Sequence, residues 1–157
     1  MSEIFLFYEK ESDEVNDIDS ILASNFSLNI VKSDTSDVLK TAELIEQTNL
    51  AVFCLTNQFI KSESCMKAFE IVQSLKKSFL VVKLEEIIVR SVKLGKILFD
   101  DKKCFDFSKD KEKRTSLLYH TRFQDFLKAI NNQVGKEMSL KYKVIKFKVN
   151  FAFNYLN

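Results

Sequence analysis

Few side chains in this sequence are of the kind that make or break bonds. His120 is the only histidine, with no serine or cysteine evident beside it as a nucleophile, and a lone histidine at a helix start or loop reads as structural. The three cysteines, Cys54, Cys65 and Cys104, are an odd number without CxxC spacing, which suits neither a disulfide framework nor a zinc site. Cys54 and Cys65 lie in apolar stretches and read as small buried hydrophobes. Glu85 and Glu86 follow an apolar run, at the end of a strand where α/β folds bind ligands; adjacent carboxylates there read as a solvated cap. The two glycines, Gly95 and Gly135, leave no glycine-rich loop for a phosphate or a dinucleotide.

These residues are carried by alternating short apolar runs and amphipathic stretches. Ile4–Tyr8, Leu50–Leu55 and Phe79–Val82 are continuous apolar runs too short for helices, as expected of strands buried on both faces. Leu28–Val31 and Cys104–Phe107 read as two further strands. Between them, Val15, Ile18, Leu22 and Phe26 recur at helical spacing behind a Ser12 or Asp13 cap, and Val38, Ala42 and Ile45 form a second apolar face. Cys65, Phe69 and Val72 mark a third helix behind Ser62 or Ser64, and Leu118, Phe123, Phe126, Leu127 and Ile130 a last one starting near Thr115 or Ser116. Residues 85–97 fit either a strand or an irregular helix. The βαβ rhythm predicts a five-stranded parallel α/β sheet of flavodoxin-like order with helices on both faces.

The 157 residues suit one domain, with 46% hydrophobic and 29% charged residues, no proline and fifteen phenylalanines. The net charge of +2 hides an asymmetry: residues 136–157 hold five lysines and one glutamate, leaving residues 1–135 slightly acidic and without a general basic surface for nucleic acid. From Ile145, apolar residues alternate with lysine, asparagine and alanine, a period of two that predicts a strand-like C-terminal extension. It packs on its own domain, forms a poorly ordered end, or pairs with a partner's sheet edge. The expected organisation is therefore a domain over 1–135 and a basic, aromatic extension over 136–157. No run approaches the roughly 18 apolar residues of a membrane span. The acidic start and reduced thiols suggest a cytoplasmic protein.

The sheet order alone does not choose a function. A phosphorelay receiver needs an aspartate ending the third strand, which here ends Cys54-Leu55-Thr56-Asn57. A flavin carrier needs a phosphate loop after the first strand, where Glu9–Glu14 would repel phosphate. Four segments instead resemble the TIR (Toll/interleukin-1 receptor) family over residues 4–132. Ile4–Tyr8 resembles its first box, with Phe7 where serine is usual. Ile45–Thr56 resembles its helix into the third strand, Phe59–Cys65 its Y/F-x-x-S-x-W-C stretch, and Phe123–Ile130 its last helix.

The resemblance implies a signalling module of the innate-immune type. Such a module acts by self-association or by pairing with other TIR domains, as a homo- or hetero-oligomer and without a cofactor. It also implies an assembly role for the loop at Asp34, Thr35, Ser36 and Asp37, which is shorter than the family's and lacks its proline and glycine. A solvated turn with a helix cap is the alternative for that loop. Some TIR domains cleave NAD+ with a glutamate three residues beyond the W-C cysteine. Counted from Cys65 that position is Ala68, whose methyl group cannot stabilise a developing cation. Glu70 is the nearest carboxylate, about 200° further round a helix. Catalysis as an NAD+ nucleosidase therefore requires Glu70 and stands as the alternative reading, with NAD+ as substrate.

Overall fold

The computed structural model describes residues 2–10, 12–25, 31–33, 38–47, 49–108, 117–134 and 142–148. The strands are β1 (Ser2–Tyr8), β2 (Val31–Ser33), β3 (Leu50–Leu55), β4 (Phe79–Lys83), β5 (Cys104–Asp106) and β6 (Tyr142–Lys148). They form one sheet in the order β2-β6-β1-β3-β4-β5 with every pairing parallel. Helices α1 (Asp13–Asn25), α2 (Val38–Gln47), α3 (Asn57–Lys61), α4 (Glu63–Ser74), α5 (Val92–Leu98) and α6 (Leu117–Val134) connect them.

Why the apolar runs are unbroken is visible in the two cores. Ile4, Leu6, Leu50, Val52, Leu80 and Val82 face one side and meet Val15 and Ile18 of α1 and Phe123, Phe126, Leu127 and Ile130 of α6. The intervening Phe5, Phe7, Ala51, Phe53, Phe79 and Val81 face the other side and meet Ile45 of α2, Phe59 of α3, Leu94 of α5 and the α4 face of Cys65, Ala68, Phe69 and Val72. Alternate residues of β1, β3 and β4 thus enter opposite cores, as expected when helices cover both faces of a parallel sheet. Phe53 is the hub of the second core, stacked on Phe7 at 5.0 Å between centroids and edge-on to Phe69 at 4.9 Å.

β1 and β3 are adjacent in the middle of the sheet, with Ile4 opposite Leu50 and Phe7 opposite Phe53. The C-terminal strand is where the sheet departs from a five-stranded flavodoxin order. β6 lies between β1 and β2, paired to β1 over seven residues from Ser2↔Tyr142 to Tyr8↔Lys148. Its other edge carries β2. Of the alternating run that begins at Ile145, residues 145–148 fall in β6 and the rest lies outside the described residues; both edges of β6 are occupied within its own sheet. Without β6 the order reads 2-1-3-4-5.

Capping explains where the helices start. The Ser12 hydroxyl accepts from the Val15 N–H at 3.2 Å, Thr56 from Phe59 at 3.0 Å and Ser62 from Cys65 at 3.3 Å. α4 ends with Lys76 at φ 53°, while the Lys76 and Lys77 N–H groups donate to the Gln73 and Val72 carbonyls. That is a Schellman closure in which lysine takes the left-handed conformation usually given to glycine.

Candidate functional site

The chain runs from β1 outward to β2, then returns past β1 to β3, so the strand order reverses between β1 and β3. In open parallel sheets the carboxyl ends at such a reversal border the ligand crevice. A cavity of about 210 Å³ opens there, lined at its base by Tyr8, Val15, Cys54 and Leu84. Glu9, Lys10, Ser12, Thr56, Gln58 and Glu85 supply its polar lining.

Half of those polar groups already hold the fold. Ser12 and Thr56 are the helix caps described above. The Glu85 carboxylate accepts from the Asn57 N–H at 2.7 Å and so caps α3 from another loop. Asn57 fixes the same loop with its side chain, donating to the Glu86 carbonyl at 2.8 Å and accepting from the Ile88 N–H at 2.9 Å. Glu86 reaches Lys83 at 3.3 Å, and Lys83 also faces Asp106, its register partner, at 3.5 Å. Partial burial opposes the charge on Lys83, but Asp106 and Glu86 outweigh it and hold its pKa above the ordinary value. Burial likewise opposes ionisation of Asp106, yet the Ser108 hydrogen bonds and Lys83 hold its pKa below the ordinary value. The Glu85–Glu86 pair is accordingly a cap plus an ion pair.

The remaining residues singled out in the sequence do not converge on this cavity. Ala68 is fully buried in the phenylalanine-rich core. Glu70 stands on the opposite face of α4, with a side chain 61% exposed and 3.7 Å from Lys67. Cys65 is buried, and burial pushes its thiol up to about 11, far from a nucleophile's range. Cys104 lies on β5, its thiol also raised to about 11 by burial. Cys54 is a buried β3 residue at the cavity base, and none of the three cysteines is in a disulfide. His120 falls in the first turn of α6. Asp34, Thr35, Ser36 and Asp37 lie outside the described residues. Among the described residues no three His, Cys, Asp or Glu side chains gather to hold a metal ion, and no helix is long and apolar enough to cross a membrane.

A second feature was not read from the sequence. Residues 85–91 form neither strand nor helix, and α5 follows them. Leu94 and Gly95 of α5 face inward, and a Cβ on Gly95 would stand 3.3 Å from Val89 Cγ1, so glycine permits the loop's close approach. Outward, Val92 is 78% exposed and Phe99, at the helix C-cap, 85% exposed. Val92, Lys96 and Phe99 are spaced four and three residues apart and form one stripe. Ile88, 62% exposed, borders a hollow of about 180 Å³ with Ile60, Lys61 and Arg90. Large apolar side chains on the wet face of a helix depart from the usual amphipathic pattern. The sequence signal was the run Ile87-Ile88-Val89 followed by Val92 and Phe99, too apolar for a seven-residue surface helix and its loop.

No family model matches the chain, and no curated protein matches it in sequence. Among solved structures it is similar to a chain in the crystal structure of the RPS4 and RRS1 TIR domain heterodimer. Identity is 18%, with 82% of this chain and 98% of that chain covered and a TM-score of 0.55. At that identity the likeness speaks for the fold, and the fold is that of a TIR domain.

Proposed function

We propose that this chain is a TIR-like signalling module of the innate-immune type, working in the cytoplasm through contacts with other TIR domains, its own copies included. The observation that carries this reading is the exposure of the large apolar side chains Ile88, Val92 and Phe99, on a fold similar to that of a chain in a TIR domain heterodimer. The position that the family resemblance gives to the NAD-cleaving glutamate is a buried alanine. Cleavage through Glu70 would need a carboxylate that instead stands in solvent beside Lys67, on the side of α4 away from the core. Sedimentation velocity over rising protein concentration tests the assembly reading. A sedimentation coefficient that climbs with concentration is expected, and one that stays monomeric at several hundred micromolar would refute association with its own copies.

A further inference from the structure

Resting on that assembly reading, the geometry points to a specific head-to-tail contact in which Phe99 and Lys96 of one copy seat in the β1–α1 cavity of the next. The donor surface is both apolar and cationic. Between Ile88 and Phe99 the chain has Arg90, Lys93 and Lys96 and no carboxylate. Two such surfaces meeting across a two-fold axis would set like charges against each other, so an isologous pairing is disfavoured. The complementary surface is found elsewhere on the same chain. At the start of α1 and the loop before it, Glu9, Asp13 and Glu14 outnumber the single cation Lys10 among the described side chains. Asp13 is exposed at the start of α1, and Glu9 lines the cavity beside it.

Shape agrees with charge. The cavity has an apolar base of Tyr8, Val15, Cys54 and Leu84, and its volume of about 210 Å³ accommodates a phenyl group. Phe99 is the most exposed large apolar side chain among the described residues, and Lys96 lies one turn before it on the same stripe. A knob in one place and a socket in another generate a heterologous contact, which repeats along a filament unless the rotation closes a ring. A short cationic helix could alternatively lie on an anionic bilayer. The chain's own acidic socket is what favours a second copy.

The test uses the full chain by sedimentation velocity, with Phe99→Ser, Lys93→Glu/Lys96→Glu and Glu9→Lys/Asp13→Lys. Phe99 and both lysines are exposed, so the first two variants should keep the wild-type melting curve. Each variant alone is expected to weaken self-association at least tenfold. An equimolar mixture of the two charge-reversed proteins should assemble again, because acid patch meets basic socket at one junction and the native pairing forms at the other. Wild-type assembly that all three variants retain would overturn this contact while leaving the assembly reading intact. Monomeric wild-type protein would overturn this contact and association with its own copies, leaving only pairing with other TIR domains. Loss in the single variants without recovery in the mixture would refute the head-to-tail pairing. So would binding of wild-type protein to phosphatidylserine vesicles, lost in Lys93→Glu/Lys96→Glu, if the soluble protein showed no charge-dependent assembly.

Discussion

Replacing Ala68 by glutamate restores a carboxylate at the position where the TIR resemblance expects one, but in this fold it does so inside the core. Ala68 is fully buried in a cluster with Phe5, Phe53, Phe69 and Val72. Forcing the longer side chain into packed space costs about 1–3 kcal/mol. Leaving its carboxyl without a partner costs about 1–3 kcal/mol more. A combined loss of about 4 kcal/mol corresponds to a fall in Tm of roughly 10 °C for a chain of this size. The deficit should also depend on pH. Burial raises the folded-state pKa of the new carboxyl above its unfolded value of about 4.3, so the unfolded state binds fewer protons and stability falls as pH rises through that value. Thermal melts at pH 4 and pH 7 should therefore show the smaller deficit at pH 4. Glu70→Gln is the control: the Lys67–Glu70 pair is exposed, and its loss should change stability by no more than about 0.5 kcal/mol. An Ala68→Glu protein that melts with wild type would refute the buried placement of position 68.

Ending the chain at Gln133 should abolish cooperative unfolding or cause aggregation in thermal melts and gel filtration. It bares the β1 edge over seven residues and detaches β2 from the sheet; a wild-type melt would refute the placement of β6. Asn57→Ala removes two hydrogen bonds that fix residues 86–88 and should cost about 1–2 kcal/mol, with faster amide exchange at Ile88 as the local readout. Alkylation of Cys104 in the native protein at pH 8 should lag that of the same thiol in denaturant, because burial raises it to about 11. The same burial makes stability fall as pH rises past about 9, where the unfolded thiols ionise first.

How much of this was legible in the sequence depends on how local the determining physics is. β1, β3 and β4 were readable because a strand buried on both faces is apolar at every position. The faces of α1, α4 and α6 were readable from their 3.6-residue spacing, and Ser12 and Ser62 from cap chemistry. α3 was missed because five residues carry no period. α5 was obscured by Val92, which faces water and breaks the amphipathic signal that Leu94 would otherwise give. The neighbours of β6 are a long-range choice that alternation cannot encode. The cavity is assembled from the ends of three strands, so no single motif announces it. Ala68 is the instructive case: its identity argued against catalysis, but only packing shows that its face of α4 points into the core.

The claim that the domain works by assembly and not by cleaving NAD+ is tested most directly by nicotinamide release. Purified wild-type protein would be incubated with NAD+ at a concentration where sedimentation shows it assembled. The account predicts no release above the rate without protein. Steady turnover that Glu70→Gln abolishes, with the fold and assembly unchanged, would contradict it and make Glu70 a catalytic residue.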